Sequence, residues 1–229
     1  MVHIDSLIKV WGSLMWQDEK FNNMIAEIEE LAISKNIVLT TWSKDISDIV
    51  RERLVDILGI SLWLDNHIDI TWKSRDIMSQ VFTDVSDKLT PVYDFNDISH
   101  IINKWNIPVI IQYELLKKFQ PFPLERWLST DTTSAFFAHK LNAKEFIKLT
   151  NVDWVYSDIN DSWTLLNEID TRTLRWMGKT CICTALSWFL EKFNMICNVA
   201  NWNNIDNLKI ILSWEEWIST TVIPFINTN

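Results

Sequence analysis

Glycine is nearly missing from this chain: it occurs 3 times in 229 residues, where a soluble domain carries roughly 7%. Tryptophan is in matching excess, at 14 residues. Together the two make up about 7% of the chain, the ordinary glycine share, and several tryptophans stand where backbone physics asks for glycine. Trp11 follows Leu7-Ile8-Lys9-Val10 directly before Gly12-Ser13, and Trp42 follows Ile37-Val38-Leu39-Thr40-Thr41, both at strand-to-helix turns. Trp154 follows Asn151-Val152-Asp153, and Trp202 lies between Asn201 and Asn203. Asn-Gly and Asp-Gly are the usual turn pairs in such places, because glycine alone reaches positive φ without steric cost. We read most of these tryptophans as codons translated here as Trp that the source organism translates as glycine. The rival is a natural Trp-rich surface or core, and the codons at these positions decide between the two.

Other absences narrow the class. No segment approaches about 18 uninterrupted apolar residues, and Met1-Val2-His3-Ile4-Asp5 lacks a basic region followed by an apolar core, so neither a membrane span nor a secretory leader is expected. A cytoplasmic location is expected. Cys181, Cys183 and Cys197 are odd in number and form no CxxC pair, which predicts reduced, mostly buried thiols and no metal site. His100 and His139 lie on predicted helices without partners at metal-ligand spacing. With a net charge of -9 and dispersed lysines and arginines, an extended nucleic-acid surface is not expected. A compact phosphate is still allowed, since helix N-termini and a few lysines hold one locally.

What is present is alternation. His3–Val10 is a strand pattern, followed by a helix carrying Phe21, Met24, Ile25, Ile28 and Leu31 at three-to-four spacing. Ile37–Thr40 is the next strand, Asp45–Leu58 and Trp63–Asp87 are helical, and Phe95–Lys104 is a helix before the strand Val109–Ile111. After the Pro-punctuated loop Gln120–Pro123 come a helix Thr132–Leu141, a strand Phe146–Leu149, a helix Thr184–Phe193, a strand Cys197–Ala200, a helix Ile205–Leu212 and a closing strand Thr221–Ile223. Short apolar strands separated by helices predict an α/β fold with a mainly parallel sheet covered on both faces. No linker or repeat interrupts it, so one domain over 1–229 is expected.

In such a sheet, ligands bind beyond the carboxyl ends of the strands. Three segments stand there. Ile8-Lys9-Val10-Trp11-Gly12-Ser13 sets a lysine at a strand end and backbone amides in the turn, a combination suited to a phosphate. Trp127-Leu128-Ser129-Thr130-Asp131-Thr132-Thr133 opens a helix with hydroxyls and a carboxylate that either cap it or hold a substrate group. Leu149-Thr150-Asn151-Val152-Asp153-Trp154-Val155-Tyr156 places Asn and Asp after a buried strand.

In order and spacing these segments resemble the amino acid kinase family. Lys9-Val10-Trp11-Gly12-Ser13 resembles its opening Lys-Ile-Gly-Gly-Ser, and Thr41-Trp42-Ser43-Lys44 occupies the place of its second glycine-rich turn. Trp127–Ala135 resembles the Trp-x-x-Thr-Ser-Asp segment, and Ala143–Tyr156 the Ala-Lys…Thr-Asn/Asp-Val-Asp-Gly-Val-Tyr segment. Met177-Gly178-Lys179-Thr180 and Val199-Ala200-Asn201-Trp202 follow the family's C-terminal half, nearest the branch of aminomethylfuranmethanol phosphate kinases and archaeal uridylate kinases.

The resemblance implies a three-layer αβα sandwich, with an acceptor-binding half over about 1–125 and a nucleotide-binding half over about 126–229. It implies an ATP- and Mg²⁺-dependent kinase acting on a carboxylate or phosphate oxygen of a small molecule, a phosphomonoester being favoured. A homo-oligomer is expected. Lys9, Asp131 and Lys179 would be catalytic, with Gly12, Ser13, Thr150, Asn151, Asp153 and Tyr156 around the nucleotide. Trp42, Ser43, Lys44, His67 and Thr130 would face the acceptor, and no side-chain metal site is assigned. Such phosphotransfer works by positioning and electrostatics. Two departures involve no tryptophan: Thr130-Asp131-Thr132 displaces the acidic residue by one position, and Cys183 stands where the branch often has Asp. They favour the alternative, a non-catalytic nucleotide-binding or storage subunit of the same fold.

Overall fold

The computed structural model describes residues 2–11, 18–42, 53, 66–119, 129–150, 155–156, 165–177, 181–202, 206–213 and 219–225. The expected alternation is there, in an α/β architecture whose eight main strands are ordered β3-β4-β2-β1-β5-β9-β10-β8. The strands are β1 (Ser6–Trp11), β2 (Ile37–Trp42), β3 (Leu89–Val92), β4 (Ile107–Ile110), β5 (Glu145–Thr150), β8 (Glu168–Asp170), β9 (Cys197–Asn201) and β10 (Thr220–Ile223), while β6 (Val155–Tyr156) and β7 (Leu165–Leu166) form a separate small ribbon. In the main sheet β3·β4, β4·β2, β1·β5, β5·β9 and β10·β8 pair in parallel, and β9·β10 is antiparallel. No helix among the described residues is long and apolar enough to cross a membrane.

The chain divides into two compact units. The first comprises Met1–Val2, Val10–Ala32 and Val38–Arg126. It carries α1 (Asp18–Leu31), α2 (Asn66–Thr83), α3 (Ile98–Asn103) and α4 (Gln112–Phe119). Phe21 of α1 meets Phe82 of α2 edge-on, both buried, so the predicted apolar stripe of α1 does face the core. The predicted helix 95–104 starts as a 3-10 turn, Phe95–Asp97, and becomes α-helical only at Ile98. Strand β3 is absent from the sequence reading because Pro91 lies inside it; as an edge strand it tolerates a residue without an N–H.

The second unit comprises His3–Lys9, Ile33–Ile37 and Trp127–Asn229. Its helices are α5 (Thr130–Lys140), α6 (Thr171–Trp176), α7 (Thr184–Phe193) and α8 (Asp206–Ser213). Helix α5 is buried on nearly every side from Thr130 to Ala138. It packs on α7, where His139 lies against Phe193 at 4.3 Å between ring centroids, an aromatic role rather than a ligand's. All three cysteines are free, but only Cys197 is buried, which corrects the expectation for Cys181 and Cys183.

The tryptophans divide. Trp105 takes φ 62° and is 69% exposed. It ends α3 in a Schellman motif: its N–H donates to Ile102 O at 2.8 Å, and Asn106 N–H donates to Ile101 O at 3.2 Å. That position asks for glycine, and Asn142 and Asn194, the other positive-φ non-glycine residues described, are the usual substitutes. Trp176 and Trp188 are 83% and 60% exposed. Trp11 and Trp42 end β1 and β2 in extended backbone, and Trp202 is buried just after β9. None of those three is among the positive-φ residues, so the φ argument made from the sequence does not hold for them.

Trp105→Gly is therefore expected to stabilise the protein. Relief of about 1–2 kcal/mol of left-handed strain, less about 0.5–1 kcal/mol for glycine's extra chain entropy, leaves a net gain on the order of 1 kcal/mol. Calorimetric melting should show a rise of about 2–4 °C. A lower melting temperature would show that the indole packs usefully where it stands.

Candidate active site

The site assembles from two strands and one helix of the second unit. Strands β1 and β5 pair in parallel with Ser6↔Glu145, Leu7↔Phe146, Ile8↔Ile147 and Lys9↔Lys148 in register. In-register neighbours present their side chains to one face, so two ammonium groups arrive side by side from otherwise apolar strands. Facing them is Asp131, in the first turn of α5. Ser129 starts that helix, its Oγ accepting from Thr132 N at 3.1 Å, and Thr133 Oγ1 donates to Ser129 O at 3.0 Å. A carboxylate in the first turn is also favoured by the helix dipole.

Asp131 holds both lysines: Lys9 Nζ donates to Oδ1 and Lys148 Nζ to Oδ2, the latter at 2.6 Å. Lys148 also donates to Cys181 O. All three side chains are buried. Burial works against the Asp131 charge, yet Lys148 and Lys9 overcome it and hold the carboxyl below the usual carboxylate range. For Lys148, burial is outweighed by Asp131, and its ammonium is strengthened. For Lys9, burial prevails over Asp131 with Lys148 adding repulsion, so its pKa is lowered. Two lysines converge on one carboxylate, an environment suited to an anion brought by a ligand.

Cys183 borders this cluster as the N-cap of α7, its Sγ accepting from Leu186 N at 3.3 Å and lying 2.7 Å from Ser129 Oγ. A capping aspartate would fill the same place, which explains how Cys stands there without loss of the helix start.

Of the residues picked from the sequence, Lys9 and Asp131 meet, and the one-residue displacement of the acid does not keep it from Lys9. Thr130 is buried at the first position of α5. Thr150 is buried at the end of β5, its carbonyl accepting from Trp202 N at 3.0 Å. Tyr156 belongs to β6, paired with Leu165; Trp42 ends β2; His67 is in the first turn of α2. Gly12, Ser13, Ser43, Lys44, Asn151, Asp153 and Lys179 lie outside the described residues. Lys148 was missed. Its signal was a lone charge in the apolar run Phe146-Ile147-Lys148-Leu149, the same pattern as Leu7-Ile8-Lys9-Val10.

Comparison with known proteins agrees with this architecture. Residues 74–181 match the model of the amino acid kinase family. Over 218 residues, 95% of this chain and 97% of the relative, the sequence is 22% identical to [5-(aminomethyl)furan-3-yl]methyl phosphate kinase of Methanocaldococcus jannaschii. Among solved structures, uridylate kinase from Archaeoglobus fulgidus superposes with a TM-score of 0.73 at 17% identity, covering 96% of this chain and 100% of that one. UMP kinase from Ureaplasma parvum gives 0.72 at 15% identity, covering 97% and 100%. The fold is the three-layer αβα sandwich with a mainly parallel sheet, as in these solved kinases, and its stretch 74–181 is similar to the amino acid kinase family.

Proposed function

We propose that this protein is an ATP-dependent kinase of a small molecule, transferring a phosphoryl group to a phosphate or carboxylate oxygen. The observation that carries the reading is the buried convergence of Lys9 and Lys148 on Asp131. Charge spreads over the equatorial oxygens as a phosphoryl group passes between acceptor and donor, and fixed cations in a dry site stabilise it. When bound, ATP supplies the γ-phosphoryl group. Lys9 and Lys148 contact its oxygens, while Asp131 is a positioning residue that keeps both ammonium groups aimed. Thr150, Asn151, Asp153 and Tyr156 border the nucleotide on this reading, Gly12 and Ser13 offer amides to the phosphates, and residues before about 126 take the acceptor.

A phosphomonoester is the favoured acceptor, because the relatives at full-length coverage are named as kinases of phosphorylated molecules. Magnesium does not find a ligand set among the described residues: both Asp131 oxygens accept from lysines, and no three His, Cys, Asp or Glu side chains converge on a cation position.

The test is transfer of labelled γ-phosphate from ATP to a panel of phosphomonoesters and small acids. It should be run on the chain as it stands and on a form with glycine at Trp11, Trp42 and Trp154, where the family resemblance places glycine beside phosphate. Transfer to at least one acceptor is expected from the glycine form. Nucleotide binding without transfer to any of them would instead favour the storage-type subunit.

A further inference from the structure

A second buried cation lies in the first unit, on α2, the helix that also carries His67. Arg75 of α2 is only 7% exposed, and its guanidinium stacks on the Trp72 ring with Cζ 3.8 Å from the centroid. Its Nε and Nη1 are buried without a hydrogen-bond partner. Among the described residues it forms no salt bridge. The adjacent carboxylate, Asp76, is otherwise engaged: it accepts from Gln112 N at 2.8 Å and Tyr113 N at 3.0 Å, capping α4 from outside that helix. A buried guanidinium with idle donors is costly, and native proteins keep such groups for a reason.

Its place in the fold supplies the reason. Helix α4 starts directly after β4, so Asp76 and its neighbour Arg75 stand at the carboxyl end of that strand. The same end of β2 is tied in, because Gln112 Nε2 donates to Thr41 O at 2.7 Å and Thr41 Oγ1 lies 2.8 Å from Ser79 Oγ. Ser79 is one turn beyond Arg75 on α2. Ligands of open parallel sheets bind at this edge. Gln112 Oε1 is a second buried polar atom here without a partner, this one an acceptor.

We infer that Arg75 is the anchor of an oxyanion-binding site in the first unit, taking the carboxylate or phosphate of a small molecule, with Gln112 Oε1 available to a hydroxyl or amide donor on the same ligand. Nε and Nη1 lie on different edges of the planar guanidinium, and each offers an N–H to an oxygen of such a group. The inference stands apart from the phosphotransfer reading; where both hold, this site receives the acceptor's anionic group.

The test uses the full chain without ATP. Melting temperature is followed against inorganic phosphate and, separately, succinate, at low millimolar concentration with chloride matched for ionic strength. A saturable rise with one or both anions is expected, and which anion acts names the oxyanion. Arg75→Met should melt higher than the parent in chloride alone, because an unpaired buried charge is gone, and should lose the rise. Arg75→Lys should keep the charge yet weaken the response at least tenfold in anion concentration. No response in the parent overturns the inference. So does an undiminished response in Arg75→Met, which would place the ion at Lys9 and Lys148. An Arg75→Met form that melts lower than the parent in chloride overturns it as well, since the guanidinium would then be a structural partner of Trp72 and not an idle donor. Kinase activity is read in none of these measurements, so its failure and this one are told apart.

Discussion

Asp131→Asn is expected to destabilise the protein by about 3–5 kcal/mol, the range found when one partner is removed from a buried ion pair. Asparagine fills the same volume and keeps one acceptor, so the loss comes from charge rather than packing. It leaves the ammonium groups of Lys9 and Lys148, in-register neighbours on β1 and β5, in the interior without the Asp131 charge they both bind. Denaturant unfolding measures it, and adding Lys9→Met to Asp131→Asn should recover part of the loss by removing one of the two cations. A change below about 1 kcal/mol would mean the charges are solvated and the cluster does not exist as described. The pH dependence has a definite sign. Because the native carboxyl titrates below its unfolded value, Asp131 contributes stability at all pH above about 4 and loses it only as pH falls further towards the native value. Asp76 runs the other way: burial pushes it up to about 6, so its carboxylate weighs against the fold at neutral pH and is relieved on acidification from about 6 towards 4. Asp76→Asn should flatten that branch and leave the strongly acid one intact.

How much of this was legible depended on where the deciding partner sat in the sequence. Helix α7 was read at both ends, Thr184 and Phe193, because its apolar spacing and its cap are local. Helix α4 was not read at all, since it follows β4 without a cap of its own and is started by Asp76, 36 residues upstream. The same distance hid Lys148. A lysine in an apolar strand reads as an edge residue until the topology pairs that strand with another bearing a lysine at the same register. Asp131 was legible as a helix opener, but that it bridges two cations follows only from β1 and β5 being adjacent. The glycine deficit was legible as composition, and Trp105, a position the sequence reading had not singled out, turned out to be the described tryptophan that sits in a left-handed cap. Helix α3 ends there because the chain must turn, and the indole is turned out to solvent.

Lys9→Ala, made in the glycine-restored form, should lower turnover by roughly 10²–10³ fold, the scale of about 2.7–4 kcal/mol observed when one electrostatic contact to a transition state is removed. Stability should behave quite differently. Loss of Lys9 leaves Asp131 paired with Lys148, which still donates to Cys181 O, so the carboxylate keeps its cation and the folded state loses little. The two readouts therefore separate: turnover falls steeply while the unfolding free energy stays within about 1 kcal/mol. Lys148→Ala should show the same split through the remaining Lys9–Asp131 pair, whereas Asp131→Asn loses both activity and stability. The three variants together distinguish a site that uses its cations on a ligand from a cluster that only holds the core. In the second case, each lysine variant would cost stability in proportion to its lost contacts. Near-full turnover of Lys9→Ala on a confirmed acceptor would remove that lysine from the chemistry and leave Lys44 and Lys179 as the cations to test next.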